Sequence, residues 1–579
     1  FWTADVHDPR MSTYDTAISG LGPYPAGFFM LGVPSPTDQP SASASGGTAP
    51  TTTRSYCYTY VTALGEESGP SPSSTVASGN NNGTWTVTGI QTAPTNSGTS
   101  SGWVTLPNGR IRATLDTVFG MQIGSTLIMT YDTVELVDPL VETVRVLAVN
   151  AGSSYVEFAR AAYPVGTTPT LAWERASPIN ITGMVKRLYR TDGTASSFMY
   201  VTELAIGDTS YADSAAVSTG EPLQTAATVP PPGNLRCLIA LPNGCLCGMT
   251  ENEICFSEPY IPYSWPVINR YSFVAKGVTI GATGNSVIVL TDGYPVLATG
   301  SHPEAMTITV METYAPCVSK RGSVNVGGGV LYPSHDGLWL AMAGAVELRT
   351  RALYRVSEWK PLAPETFNAE FFDGQYYAVH TPVGGTQQII VLDVAELDSV
   401  ITVDESADAI YRNDYDGIMY IAKGGTIYKW DENDNKRYNS EWQSVEVQLD
   451  QPRNLSVAQV HADWSQVVPV DESPLASNQA LIDSGPDAVS GYIGADEFGV
   501  LEVASSYIEL VDPATERRVQ FVLYDGESAI YSRNVDSGRP FRLPSGHKQE
   551  TLRIALNASI TVFSSSVAES TEELRGISA

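Results

Sequence analysis

Short apolar runs broken by turn residues are the sequence feature that most constrains the fold. Long stretches with apolar residues spaced three and four apart, as amphipathic helices require, are nearly absent. Alternating segments such as residues 54–62 recur instead, and clusters of Gly, Pro, Asn and Asp follow them. Alternation places successive side chains on opposite faces of a strand, and such turn residues end strands. The pattern predicts an all-β protein.

The length and charge of the chain narrow its class. A chain of 579 residues is too long for one ordinary core, so several domains are expected. The formal net charge is −29, and charged residues make up only 16% of the sequence. Proteins that bind nucleic acid need a basic stripe to neutralise phosphates, and none is visible here. The charge therefore fits either plain solubility or a surface that DNA passes without binding.

Motifs for catalysis or metal binding are not apparent in the sequence. Four of the six cysteines cluster as Cys237, Cys245, Cys247 and Cys255, but their spacing is not that of zinc knuckles, so buried free thiols are favoured over a metal site. No zincin helix, phosphate loop or nucleophile elbow occurs. We expect no enzyme activity, metal or cofactor, although scattered carboxylates leave a glycosidase pair open. No apolar run approaches the ~18 residues of a membrane span.

Composition shifts divide the chain into segments. Residues 230–233, three prolines and a glycine, predict a stiff spacer. The phrases "YxYVTxxGEESGPS" and "LYRT…YVTE…YADS" before it resemble strands of a fibronectin type III sandwich. The predicted segments are an extended N-terminal arm or platform segment at 1–53, a fibronectin type III-like β-sandwich at 54–232 with a small β domain inserted at about 100–178, a propeller-like domain at 233–469, an acidic surface loop at 470–500, and C-terminal strands at 501–579 that complete the platform or propeller.

The segment after residue 233 carries short strands joined by turns, several of them Asp-Gly. Hairpins of this kind recur every several tens of residues, which indicates an irregular β-propeller. The repeats are too uneven to give a blade number. A stacked β-sandwich is the structural alternative.

Several phrases in this region occur in a familiar order. They include "PPPGNLRCLIALPNG", "GMTENEICFSEPYIPYSWP", "CVSKRGSVNVGGGVLYPSHDGLW" and "NDYDGIMYIAKGGTIYKWDEND". A further phrase, "RPFRLPSGHKQETLRIAL", lies near the C-terminal end of the sequence. In order and spacing they resemble tail nozzle proteins (tail tubular protein B-like) of short-tailed bacteriophages. The resemblance covers about 54–72, 185–465 and 538–579.

The resemblance implies a structural virion protein. Such proteins form a homohexameric ring below a tail adaptor ring, with tail fibres or spikes alongside, and are assembled in the host cytoplasm. Genomic DNA passes through the lumen during ejection without specific binding. The resemblance carries no catalytic residues.

Two sets of residues are candidates for that role. The aromatic side chains Tyr260, Tyr263 and Trp265 are candidate contacts between subunits, because aromatic residues anchor such interfaces; the alternative is an ordinary connection packed by aromatic rings. The acidic, turn-rich loop at 470–500 is a candidate channel gate, with Asp471, Glu472, Asp483 and Asp487 as its residues.

Two other function classes stay open. One is a receptor- or glycan-binding tail protein that also degrades glycan in some cases, although the regular turns of a trimeric β-helix are absent from the sequence. The other is a bacterial adhesin with fibronectin-type modules, for which a signal peptide and a sorting tail are expected.

Overall fold

The structure of the protein is a computed structural model. It describes the chain except for residues 5–6, 21–23, 133–139, 160–169, 194–196, 217–219, 396–399, 431–438, 467–518, 527, 545–547 and 578–579. Strands dominate these residues, so the predicted all-β class is confirmed. The helices found there are Tyr14–Ala17, Val356–Trp359 and Thr571–Ile577, with 3-10 turns at Val267–Asn269, Pro303–Ala305, Thr350–Ala352, Lys360–Leu362, Pro364–Thr366 and Trp464–Gln466. Over the described ranges, no helix has the length and apolar character needed to cross a membrane.

The chain forms two compact units, Phe1–Trp430 and Asp431–Ala579. The stretch at 230–233, predicted as a stiff spacer, does not separate units. It is largely buried, and Gln122 Nε2 donates a hydrogen bond to the Pro231 carbonyl oxygen at 2.6 Å. Composition marks the prolines correctly as a break in regular structure, but their packing depends on residues more than a hundred positions away.

Two sheets with a shared core form the sandwich of the first unit. One sheet contains Tyr56–Val61, Val185–Arg190 and Met199–Ala205; the other contains Ser41–Ser45, Thr84–Thr88 and Ser210–Asp213. Tyr58, Trp85 and Leu188 lie in the core between them. A further pair is Thr51–Arg54 with Ala77–Asn80, and a small N-terminal sheet contains Trp2–Ala4, His7–Met11 and Phe29–Met30.

The segment predicted as an extended arm therefore contributes strands. Ser41–Ser45 pairs with Thr84–Thr88 in the sandwich, so the sandwich begins before residue 54. Ala42 and Ala44 pack against the core, and the alternating serines Ser41, Ser43 and Ser45 point outward. The strand alternates as strands do, but its inward side chains are so small that composition alone indicates a linker.

A closed six-stranded barrel lies between the strands of the sandwich along the chain. Its strands are Ser97–Thr105, Arg110–Leu115, Thr126–Asp132, Leu140–Asn150, Tyr155–Ala159 and Thr170–Arg175. Side chains such as Met129, Phe158 and Trp173 fill it, so its interior is a packed core. The barrel occupies the stretch for which a small inserted β domain is predicted.

Five antiparallel sheets follow one another from residue 236 to residue 429. Sheet 1 contains Arg236–Ala240, Leu246–Met249, Glu253–Phe256 and Arg270–Ser272; sheet 2 contains Gly277–Thr283, Ser286–Thr291, Val296–Thr299 and Thr307–Val310; sheet 3 contains Val324–Asn325, Gly329–Pro333, Leu338–Met342 and Ala345–Leu348; sheet 4 contains Asn368–Phe372, Gln375–His380, Gln388–Asp393 and Val400–Val403; sheet 5 contains Ala409–Asn413, Ile418–Lys423 and Thr426–Lys429. In each sheet the strands pair in chain order.

Each of these sheets shares an apolar core with the next one. Val287 and Val289 of sheet 2 pack against sheet 1, whereas Ile288 and Leu290 on the opposite face pack against sheet 3. Shared cores likewise join sheet 3 to sheet 4 and sheet 4 to sheet 5. The inner strands are therefore apolar on both faces, which explains continuous apolar runs such as residues 287–290.

The second unit is built from two sheets around one core. The larger sheet contains Ser440–Gln443, Val447–Arg453, Val519–Asp525, Ser528–Val535 and Gln549–Ala558, and the smaller one contains Val457–Ala462, Phe541–Arg542 and Val562–Ala568. Phe521, Phe541 and Leu556 lie in the shared core. The prediction that residues up to 469 belong with the repeated sheets is wrong, because the strands at 440–462 pair with C-terminal strands. Their partners are about a hundred residues away, so no local pattern reveals the pairing.

Candidate functional site

The aromatic loop after sheet strand Glu253–Phe256 is closed by its own backbone. The Glu258 N–H donates to the Ser264 carbonyl oxygen at 2.9 Å, and the Ser264 N–H donates to the Ile261 carbonyl oxygen at 3.1 Å. The loop is also fixed to the preceding segment, since the Trp265 N–H donates to the Val229 carbonyl oxygen at 2.8 Å. These bonds hold the loop in one conformation.

Tyr260 projects from the tip of this loop in a strained conformation. Its backbone φ is +61°, a left-handed value that residues other than Gly, Asn and Asp rarely adopt. Its N–H donates to the Gly244 carbonyl oxygen at 2.9 Å, and a Cβ atom at Gly244 would lie 2.6 Å from the ring. Despite this contact the residue is 81% exposed. The loop thus keeps a large aromatic side chain in solvent at a conformational cost.

The other two predicted aromatic contacts are placed differently. Trp265 is fully buried with Leu235 and Cys255, and its indole N–H donates to the Pro262 carbonyl oxygen at 2.8 Å. The prediction of Trp265 as a contact between subunits is therefore wrong: its ring holds the loop to its own chain. Tyr263 is half-buried, and burial raises the pKa of its hydroxyl. The three aromatic residues look equivalent in the sequence. Only the packing shows that Tyr260 is exposed and that Trp265 is buried in its own chain.

Further apolar side chains are exposed along the same segment. Val267, Ile268 and Val274 are largely solvent-exposed, and Ile261 is partly so. An exposed aliphatic residue by itself is ordinary, whereas apolar residues exposed together are typical of interaction surfaces. These aliphatic residues carry no signal in the sequence beyond ordinary hydrophobicity, whereas the aromatic residues around them are conspicuous.

The residues predicted to form a channel gate, Asp471, Glu472, Asp483 and Asp487, lie outside the described residues. The gate therefore stays a prediction.

The clustered cysteines lie in and beside sheet 1. Cys245, Cys247 and Cys255 are buried free thiols, and Cys237 is half-buried. Burial raises the pKa of the Cys245 thiol to about 11 and that of Cys255 to about 12. Metal binding requires thiolates, which burial in an apolar core disfavours. In the part of the chain that the structure describes, no group of three or more His, Cys, Asp or Glu side chains is placed to hold a metal ion.

A polar cleft of about 380 Å³ lies where three repeated sheets begin. It is lined by residues 318–321 before sheet 3, residues 365–368 at the start of sheet 4, and residues 407–408 before sheet 5. These segments occupy equivalent positions in their sheets. The segments that enter the first strands of three consecutive sheets thus converge.

Comparison with known proteins identifies no family. No family model matches the chain, and no curated protein matches it. Solved structures that match include the extracellular domain of a one-component system from B. thetaiotaomicron, at 11% identity and a TM-score of 0.20, over 59% of this chain and 52% of that one. A mutant puromycin hydrolase matches at 12% identity and a TM-score of 0.22, over 59% of this chain and 54% of that one. The chain thus spans about half the length of each, and similarity at these TM-scores carries no argument about fold or function.

Proposed function

We propose that this chain is a subunit of a homohexameric tail nozzle of a short-tailed bacteriophage, with Tyr260 as a contact between neighbouring copies. The proposal rests on the order of the sequence phrases that resemble such nozzles. The observation that carries the contact is the exposed Tyr260 ring on a fixed loop. Backbone strain persists where the surrounding structure enforces it, and it clusters at functional positions.

The proposed architecture is an irregular β-propeller joined to a fibronectin type III-like sandwich with an inserted barrel. Two observations support the propeller. Consecutive sheets of three or four strands share cores in chain order, and the segments entering sheets 3, 4 and 5 converge on one cleft, as blades arranged around an axis require.

A cyclic assembly can be built from one contact loop per copy, here the loop that carries Tyr260. Cyclic rings use heterologous contacts, so the Tyr260 loop of each copy would meet a different surface on the next copy. Because backbone hydrogen bonds already fix the loop, its backbone loses little conformational entropy on binding, which favours Tyr260 as an anchor.

The remaining parts of the proposal follow from the nozzle role. The ring would lie in the virion tail below an adaptor ring, with fibres or spikes alongside, and it would act as a structural protein without enzyme activity. The net charge of −29 per chain supports passage of DNA without binding, because like charges repel at short range.

The test is the mass of the assembled protein, measured by native mass spectrometry and by electron microscopy of the particle. We expect a six-fold ring with an axial channel for the wild type.

Tyr260→Asn should reduce assembly at least tenfold without lowering monomer stability, because Asn tolerates a positive φ. The matched control is Tyr415→Asn, which removes another tyrosine, 98% exposed, from a turn of sheet 5. A wild type that forms only monomers or trimers beside its tail partners contradicts the nozzle; a hexamer unaffected by Tyr260→Asn contradicts only the contact.

A further inference from the structure

A second cleft, of about 330 Å³, opens on the sandwich of the first unit. It lies beside the edge strand Met199–Ala205, at the place where residues 221–222 run along that strand. The Tyr200 N–H donates to the Glu221 carbonyl oxygen at 2.9 Å, and Met199 forms a bridge with Pro222. The wall that carries Glu221 is thereby fixed to the wall that carries Tyr200.

The floor of the cleft is a buried carboxylate with three partners. Glu67 Oε1 accepts hydrogen bonds from the Tyr189 hydroxyl at 2.6 Å and from the Thr59 hydroxyl at 2.8 Å. Its other oxygen, Oε2, lies 2.8 Å from Arg187 Nη1. Glu67 is almost fully buried, so its contact with Arg187 Nη1 fixes the orientation of the guanidinium. This contact does not occupy all five guanidinium donors.

Aromatic rings and carboxylates form the walls. The Tyr189 and Tyr200 rings meet edge to face with centroids 5.9 Å apart, and both line the cleft. Glu203 and Glu221 line it as well, and Glu203 Oε2 is 3.9 Å from Arg187 Nε. The cleft thus offers a guanidinium donor, carboxylate acceptors and apolar ring surface within one concave site.

We propose that this cleft binds a neutral saccharide. A hydroxyl group both donates and accepts hydrogen bonds, so it matches a site that holds Arg187 beside Glu203 and Glu221. The C–H faces of a sugar ring pack on aromatic surface such as Tyr200. The volume is at the lower end of the range for ligand sites, about 300–1,000 Å³, and suits one or two sugar rings.

The charges of the cleft select against acidic ligands. Three carboxylates, Glu67, Glu203 and Glu221, line the cleft together with one guanidinium, so an acidic saccharide would meet net repulsion. A saccharide hydroxyl can accept a hydrogen bond from the Arg187 guanidinium that Glu67 holds in the cleft, which a simple cation cannot do. This site stands independently of the proposed nozzle and of the Tyr260 contact.

The test uses saturation-transfer difference NMR on the full chain, with a panel of neutral, acidic and amino mono- and disaccharides and with spermidine. We expect transfer to at least one neutral saccharide, and at least a tenfold weaker interaction for Tyr200→Ala. The matched control, Tyr411→Ala, removes an exposed tyrosine from sheet 5 and should leave binding unchanged.

A gain-of-function variant separates recognition from folding. Glu203→Gln combined with Glu221→Gln keeps the size of both side chains and removes two negative charges, so it should admit the acidic counterpart of the neutral saccharide that the wild type binds. The proposal is overturned if no neutral saccharide gives transfer, if only acidic saccharides or spermidine do, or if neutral binding is equal in Tyr200→Ala. Each of these outcomes leaves the oligomeric state, and hence the nozzle proposal, unaffected.

Discussion

Glu66 Oε1 accepts a hydrogen bond from the backbone N–H of Gly32 at 3.2 Å, while Oε2 of the same buried carboxyl group has no hydrogen-bond partner among the described residues. Gly32 has a φ of +77°, and a Cβ atom there would lie 2.8 Å from the Tyr263 carbonyl oxygen. Glu66 therefore lies beneath a tightly packed backbone junction. Burial raises the pKa of this carboxyl group to about 7.

Glu66 should make stability depend on pH. Between about pH 4.5 and pH 7 the folded state keeps a proton that the unfolded state has lost, so the free energy of unfolding falls as the pH rises through that window. The loss from this group is about 3 kcal/mol at most, and it is complete above pH 7. Glu66→Gln should raise the urea midpoint at pH 8 and leave it little changed at pH 4.5. An equal effect at both pH values would contradict this account.

A second prediction concerns the buried ion cluster of the sandwich. Asp213 Oδ2 accepts a hydrogen bond from the Tyr56 hydroxyl at 2.8 Å, lies 3.4 Å from Arg54 Nη1 and also contacts Arg190 Nη1. Both guanidinium groups are fully buried. Asp213→Asn would remove the buried carboxylate that contacts both cations and leave them Asp192, whose side chain is 32% exposed. Removing one partner of a buried pair costs about 3–5 kcal/mol, which is the upper limit expected here.

Urea denaturation, monitored by tryptophan fluorescence, measures this cost. Trp85 reports on the cluster because the Arg54 Cζ atom lies 4.7 Å from the centroid of its ring. The control is Asp414→Asn, which breaks an ion pair with Arg412 in which the aspartate is 82% exposed. Exposed pairs contribute about 0–1 kcal/mol, so the control should be nearly neutral. Equal midpoints for the two variants would show that the buried cluster contributes no more than a surface pair.

A third prediction concerns the thiols. The sequence contains six cysteines, and all but Cys237 are buried. Because thiolates are the reactive form and burial raises the pKa of these thiols, iodoacetamide at pH 8 should modify at most one cysteine per native chain and all six after denaturation. Rapid labelling of Cys247 in the native protein would contradict its burial, and fewer than six labelled cysteines after denaturation without reductant would indicate a disulfide.

Strands and hairpins could be predicted from the sequence where an apolar or alternating run is followed by turn-forming residues. Apolar runs such as residues 287–290 and Asp-Gly turns such as Asp416-Gly417 predict strands and hairpins correctly. Prediction failed where a strand has small side chains, as at Ser41–Ser45, because little hydrophobic signal remains. It failed equally at strands 440–462, whose partners lie far along the chain.

The candidate site shows the same division. Aromatic content predicts a contact at the loop 258–266, but the sequence cannot separate an exposed Tyr260 from a buried Trp265, because both follow turn residues in an aromatic run. The cleft proposed to bind a saccharide gave no local signal in the sequence. Glu67, Arg187 and Glu221 come from three distant parts of the chain and meet only through pairing of the sandwich strands.

The last prediction tests the stacking of the repeated sheets. Gly281 of sheet 2 faces sheet 3, where a Cβ atom would lie 2.3 Å from Val330 Cγ2 and 2.6 Å from Asn325 Oδ1. Gly281→Ala should force the two sheets apart and destabilise the protein by about 1–3 kcal/mol, as overpacking of a core does. Gly328→Ala is the control, because nothing lies within 4 Å of a Cβ atom there, and it should stay within about 0.5 kcal/mol of the wild type. If thermal melting gives the same midpoint for both variants, the close contact between sheets 2 and 3 does not exist in solution.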